Sequence, residues 1–524
     1  MRIRAFSRCG ALLSGVLLAA CGGGGNGPSL PITAVAGFAT LPSSSYANRC
    51  APDNPDAEAD ARTGSRITEM AWVRAMLKER YLWNDDLPVL NPRDPRYQGR
   101  PGDPVDHETA LQRWFTDHVR PGGDTRRDAF SYRLRLQAAE TSMAGQEAGW
   151  GLSVAAASAD PARLYVTWVD PDGPAAQAGL RRGDELLSVD DVAVASADPD
   201  ARQQIDIYLA GAAPGSASVF TVGRSDGPLT RRLVAASFER QPVPLVSVLG
   251  TESGLNEPVG YLLFNAFNEP AQWALKQALA QLAAARVSDL IIDLRYNGGG
   301  LGFIASQLAF MVAGSSSQGK TFNQSRMNPE RTASQPDDAM PFLTRTCSDG
   351  DERCERGEPL PALGLKRVYV LTGSETCSAS ELLINGLRGI DIEVVQIGGG
   401  TCGKPYGFEG VPNCGASTFA IDVQATNAKG FGDYAGGFQP GGTGPTGLPG
   451  CEVPDDLGHA LGDRSEALLA AALNHRATGQ CPIQTTGRGA LARPQVDLRQ
   501  YRAAPLDLSL PGGARHPAVS APAL

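Results

Sequence analysis

The residues best suited to chemistry lie in three short, glycine-framed segments. The first, Thr372-Gly373-Ser374-Glu375-Thr376-Cys377-Ser378-Ala379-Ser380-Glu381-Leu382-Leu383, leaves an apolar run and enters a helical pattern. Ser378 therefore falls at a helix N-terminus, where unpaired N–H groups and the helix dipole favour a developing negative charge. An acyl-transfer nucleophile needs that beside it. The same Ser-x-x-Glu spacing also serves as a plain capping box. The second segment is Gly398-Gly399-Gly400-Thr401-Cys402-Gly403-Lys404-Pro405-Tyr406-Gly407. The chain holds six lysines, and one set between glycines in a tight turn is unusual. Desolvation there lowers an amine's pKa and suits it to act as a general base; in a solvated loop it does nothing of the kind. The run continues into Pro405 rather than Ser or Thr, which argues against a nucleotide-binding loop. The third segment, Asp293-Leu294-Arg295-Tyr296-Asn297-Gly298-Gly299-Gly300, follows another apolar run. Its glycines allow close backbone approach and can expose N–H groups, or make only a flexible turn.

These turns need strands and helices to hold them. From about residue 255 short apolar runs alternate with helical periodicity. Val259 to Phe264, Leu290 to Leu294, Val368 to Thr372 and Val394 to Ile397 read as buried strands. Gln272 to Arg286 and the stretch from Glu381 read as helices. That alternation predicts an α/β layer fold over 255–482. Residues 146–242 change character: short apolar runs broken by Gly, Pro and Asp predict a β-rich module. Met70, Val73, Met76 and Leu77 recur at helical spacing, and Leu111, Trp114 and Phe115 mark a second amphipathic stretch. A helical domain is expected over 61–145.

The N-terminus pairs Arg2 and Arg4 with an apolar run too short to span a bilayer, a signal-peptide pattern over residues 1–20. It ends in Leu18-Ala19-Ala20-Cys21, which resembles a bacterial lipobox. Cys21 is thus the expected lipidation site, and the Gly/Pro-rich residues 21–60 the expected tether. Residues 483–524 are rich in Pro, Ala, Gly and Arg and are expected to be a disordered tail. Apart from Cys9 and Cys21, eight cysteines remain, an even number that suggests disulfides in an exported chain. The local candidates are Cys347–Cys354 and Cys402–Cys414. There is no His/Cys spacing for zinc. A net charge of −9 argues against nucleic acid as the main partner.

Taken together, the three turns resemble the tail-specific, or carboxy-terminal processing, protease family of serine peptidases. The resemblance lies in the Asp-Leu-Arg-x-Asn-x-Gly-Gly turn, in Ser-Ala-Ser-Glu beginning at Ser378, and in Gly-x-Thr-x-Gly-Lys ending at Lys404, 26 positions on. It implies a crotonase-like α/β (α+β) peptidase core, with Ser378 as nucleophile, Lys404 as base, and N–H groups of Ala379 and the Gly298–Gly299 turn as oxyanion donors. No metal or organic cofactor is implied. The chain departs from the family at Phe408, where a polar residue usually helps orient the lysine, and at Cys377 and Cys402, whose bonding would tie the two turns together. Gly149-Trp150-Gly151-Leu152 resembles the carboxylate-binding loop of PDZ domains, and Gly173 to Asp190 resembles their Gly-x-Pro-Ala-x-x-Ala-Gly-Leu-x-x-Gly-Asp segment. Such domains hold a peptide as an added strand. The expected partners are polypeptides with unstructured C-termini, with a lipid anchor at the periplasmic face of the outer membrane. The rival expectation is a non-catalytic peptide-binding lipoprotein with a degenerate core. His459 and His475 are the remaining candidates for a serine–histidine variant.

Overall fold

The computed structural model describes residues 38–100, 105–159, 162–209, 212–250, 257–334, 339–348, 354–482 and 499–500. Cys21 and the signal-peptide pattern lie outside the described residues.

In the N-terminal part, α1 (Arg66–Arg80) and α2 (His107–Val119) begin at Ser65 and Asp106, whose side chains accept from Thr68 and Thr109 N–H groups. Their apolar faces meet through Met70, Val73, Leu77, Leu111 and Trp114. The same cluster takes in Ala420 and Ile421 from far along the chain, and β1 (Tyr132–Arg135) pairs with a strand of the C-terminal part. This helical unit is therefore packed onto the larger core. The tether expected over 21–60 ends earlier than composition suggests. Phe38 and Tyr46 are buried, and Cys50 is bonded to Cys414.

The β-rich module contains β2 (Gln146–Gly149), β3 (Leu152–Ala159), β4 (Ala162–Val169), β5 (Glu185–Val189), α3 (Pro199–Leu209), β6 (Ala217–Gly223), β7 (Leu229–Val234) and β8 (Ala236–Glu239). Strands β3, β4, β5, β6 and β7 lie in that order in one antiparallel sheet. Trp150, Leu164, Leu186, Phe220 and Val222 form its core.

The C-terminal core is a six-stranded sheet. Its strands are β9 (Leu245–Leu249), β10 (Val259–Leu263), β11 (Asp289–Asp293), β12 (Arg367–Thr372), β13 (Glu393–Gly398) and, beyond β14 (Ala416–Phe419) of a separate sheet, β15 (Gly450–Glu452). β9 is antiparallel and the rest run parallel. Strands buried on both faces read as continuous apolar runs, which is why they stood out in the sequence. Alternate residues serve opposite faces. Leu262, Ile292 and Val370 pack on α4 (Ala271–Ala284), α5 (Gly302–Ala313) and α6 (Ala379–Gly389); Tyr261, Ile291, Tyr369 and Val395 pack on α7 (Ala467–Thr478). The three glycine-framed turns all leave the C-terminal ends of β11, β12 and β13, so parallel pairing brings them to one edge.

The expected Cys402–Cys414 bond is not formed. Cys402 is bonded to Cys377, and Cys414 to Cys50. Sequence proximity misled here, because chain entropy favours short loops but the fold brings distant thiols closer. Cys347–Cys354 is formed as expected, and Cys451–Cys481 joins β15 to the segment after α7. Residues 499–500, inside the stretch expected to be a disordered tail, form β16 (Arg499–Gln500) on the outer edge of β3. The rest of that stretch lies outside the described residues.

Candidate active site

Ser378 is the residue before α6, as the sequence implied. Its backbone sits at φ 55° and ψ −112°, a left-handed region that costs a non-glycine residue about 1–3 kcal/mol. Neighbouring bonds hold it there. Cys377 N–H donates to Asn297 O at 3.1 Å and Ser380 Oγ donates to the same oxygen at 3.0 Å. The turn after β11 is thereby fastened to the turn after β12.

Glu381, read above as a capping residue, does more than cap. Its carboxylate accepts the Ser378 N–H at 3.1 Å, the Gly403 N–H and Lys404 N–H at 2.8 Å each, and Thr401 Oγ1 at 2.6 Å. Burial raises its pKa, while the hydrogen bonds pull it back. One side chain therefore sets the backbone of both the serine turn and the lysine turn. The Cys377–Cys402 disulfide and the Cys402 N–H to Thr376 O bond at 3.0 Å join the same two turns.

Lys404 is buried. Desolvation lowers its pKa to about 7, against the opposing pull of Asp128 and Glu381. Its Nζ lies 4.0 Å from the Phe408 ring centroid and 5.4 Å from that of Phe130. Phe408, in the place of the usual polar residue, is wedged against Tyr132 and Phe419. Asp128 is fully buried and held by Tyr81 Oη at 2.9 Å and the N–H groups of Phe130 and Ser131 at 2.9 and 2.8 Å. Asp128 and Phe130 come from the segment after α2. No spacing in the sequence pointed to either, because their proximity to Lys404 arises only when the helical unit docks.

The Gly299 N–H is taken by Asn297 Oδ1 at 2.9 Å. The N–H groups of Gly298 and Ala379 have no acceptor among the described residues. Of the two glycines proposed from sequence, Gly298 is the one free to donate. Glu375, three positions before Ser378, is pushed up to about 7 by burial, with Arg240 opposing. His459 bonds Asp456, and His475 packs at the edge of Tyr369; neither bonds Ser378.

Among the described residues, two clusters of Cys and Glu have ligand-like spacing: Cys50, Glu69 and Cys414, and Cys377, Glu381 and Cys402. In each, both cysteines are already joined in a disulfide, so neither offers the thiolates a metal needs.

In the β-rich module, Gly149 and Gly151 have φ of 146° and 70°. A Cβ on Gly151 would lie 2.8 Å from Gly173 Cα, so glycine is required. The Trp150 indole turns into the core, donating to Tyr208 O at 2.8 Å. Leu152 opens β3. The N–H groups of Trp150 and Gly151 have no acceptor among the described residues. The module touches the larger core through Arg182, which donates to Asp455 at 2.5 Å and to Tyr296 Oη, beside the Gly298 turn. Beneath that turn, buried Arg295 pairs with Asp293 and Glu466.

Residues 258–427 match the model of peptidase family S41, and residues 165–217 match that of the PDZ domain. Both turns bearing Ser378 and Lys404 fall inside the first match. The chain is 34% identical over 164 residues to the chloroplastic carboxyl-terminal-processing peptidase 2 of Arabidopsis thaliana, covering 30% of each protein. It is 28% identical over 182 residues to the chloroplastic C-terminal processing peptidase of Tetradesmus obliquus, covering 32% of this chain and 37% of that one. The chain thus spans about a third of the length of these curated relatives. A putative S41 protease from Bacteroides fragilis shares the fold, with a TM-score of 0.54 at 20% identity over 78% of this chain and 97% of that one.

Proposed function

We propose that this protein is a serine-type endopeptidase of the cell envelope that works through an acyl-enzyme with a Ser378–Lys404 dyad. The observation that carries the reading is the state of Lys404: a buried amine with a pKa near 7, on a turn clamped through Glu381 to the Ser378 turn. A lysine that is half neutral at neutral pH can take a proton; an ordinary one cannot.

Neutral Lys404 removes the Ser378 Oγ proton as Oγ attacks the scissile carbonyl carbon. The resulting oxyanion is held by the N–H groups of Ala379 and Gly298, with the α6 N-terminus adding its dipole. The C–N bond then breaks, and the Lys404 ammonium returns its proton to the leaving amine. Water, deprotonated by the same amine, hydrolyses the ester. Asp128 and the Phe130 and Phe408 rings temper the burial penalty of the transient ammonium. The PDZ module holds substrate C-termini, with the free N–H groups at Trp150 and Gly151 receiving the carboxylate and β3 receiving the peptide strand. Lipidated Cys21 anchors the protein at the periplasmic face of the outer membrane.

The test is cleavage of an unstructured peptide with a free C-terminus by wild type, Ser378→Ala and Lys404→Ala. Turnover by wild type alone supports the dyad. Full activity in Ser378→Ala refutes it. Palmitate labelling lost in Cys21→Ser supports the anchor, and unchanged fractionation with the membrane in that variant refutes it.

A further inference from the structure

The sheet of the PDZ module has one strand more than the module's own sequence supplies. β16, from 340 positions beyond the end of β3, pairs antiparallel with it in the register Arg499 to Ala156 and Gln500 to Ala155. A strand has two hydrogen-bonding edges. β4 occupies one edge of β3 along its length. β16 occupies the other at Ala155 and Ala156.

That second edge is where a peptide must add if the module binds peptides by strand addition. The polarity also matches. Residue numbers rise along β16 as they fall along β3, so the chain at Gln500 heads toward the Gly149–Leu152 loop. A ligand with its carboxylate at that loop has to run the same way.

We propose that the segment around Arg499–Gln500 is a built-in competitor, a piece of the protein's own chain that occupies the peptide edge of its PDZ module and must be displaced before a substrate tail binds. This rests on the reading of the module as a peptide-binding site given above. The segment is tethered close by. The Cys451–Cys481 disulfide fixes position 481 to the large sheet, and 18 positions separate it from Arg499. Being part of the same chain, the segment competes intramolecularly, at a concentration that dilution does not change. If the segment holds the edge nine-tenths of the time, the apparent affinity for an outside peptide falls about tenfold.

Strand addition uses main-chain N–H groups, and proline removes them. The test compares three full-length chains, all carrying Ser378→Ala to prevent turnover: the parent, Arg499→Pro/Gln500→Pro, and Arg499→Ala/Gln500→Ala. The probe is a fluorescent, unstructured decapeptide with a free apolar C-terminus, followed by anisotropy. Hydrogen exchange at Ala155 and Ala156 is measured on the same samples. The proposal expects the proline variant to bind the probe about tenfold more tightly and to exchange faster at β3, with the alanine variant like the parent. Unchanged affinity and exchange in the proline variant overturn it. Faster exchange with equal affinity in all three chains also overturns it, since the segment then docks without competing. If no chain binds the probe while exchange quickens, the peptide-binding reading itself falls and takes the competition with it.

Discussion

If Lys404 is the base, acylation of Ser378 follows its neutral fraction. With a pKa of about 7, that fraction is about one half at pH 7, about 9% at pH 6 and about 1% at pH 5, a loss of about fivefold over the first unit that approaches tenfold per unit below it. An ordinary lysine would be neutral at pH 7 in only about 3 molecules in 10,000. The informative perturbation is Phe408→Glu. The Phe408 ring lies 4.0 Å from Nζ. A carboxylate placed there favours the ammonium and lifts the lysine by about 1–3 units. Taking 2 units, the neutral fraction at pH 7 falls to about 1%, and acylation slows about 50-fold. By pH 10 the amine is again about nine-tenths neutral, and the rate returns to within twofold of wild type. The assay is quenched-flow measurement of burst acylation by a chromogenic peptide ester from pH 5 to pH 10. Glu375 also carries a value of about 7, so the series is repeated in Glu375→Gln, where the limb that persists belongs to Lys404. A wild-type rate that is flat between pH 5 and pH 8 refutes the assignment. So does a Phe408→Glu defect that high pH does not repair.

Asp128→Asn removes a carboxylate that favours the ammonium, so its acid limb moves to lower pH, opposite in sign to Phe408→Glu, in the same assay. The depressed Lys404 pKa also links pH to stability. The unfolded chain binds more protons than the folded one between about pH 7 and pH 10.5, so urea stability rises with pH across that window; Lys404→Met is expected to abolish this rise. Glu381→Ala orphans the N–H groups of Ser378, Gly403 and Lys404. At about 1–3 kcal/mol for each buried unsatisfied donor, it loses at least ~3 kcal/mol in urea unfolding and all acylation. Cys377→Ala/Cys402→Ala opens a link spanning 25 positions, which lowers unfolding stability by about 3 kcal/mol and leaves Ser378 acylation sensitive to mild denaturant well before global unfolding. Cys50→Ser/Cys414→Ser frees the segment before α1, so limited proteolysis cuts near position 50 first and intact mass maps the cut.

The sequence by itself was enough for the parts of this protein that depend on neighbours along the chain. Buried parallel strands are continuous apolar runs, so the layered core was visible from Val259 to Ile397. The turns leaving those strands carry their own glycines, so Ser378, Lys404 and the Gly298 turn could be picked out and ordered, and the PDZ resemblance rested on two local stretches, Gly149–Leu152 and Gly173–Asp190. Tertiary structure alone decided the surroundings that depress the Lys404 pKa. Phe130 and Asp128 stand about 270 positions before it and reach it only because the helical unit docks through Ala420 and Ile421. The same holds for Cys50–Cys414, where the nearer partner in sequence was the wrong one, and for β16, whose two residues have no strand pattern of their own and acquire one from the open edge of β3. Local propensity and periodicity are short-range quantities. The pKa of a buried amine, the pairing of thiols and the filling of a strand edge depend on which surfaces meet, and those meetings are set by packing across the whole chain.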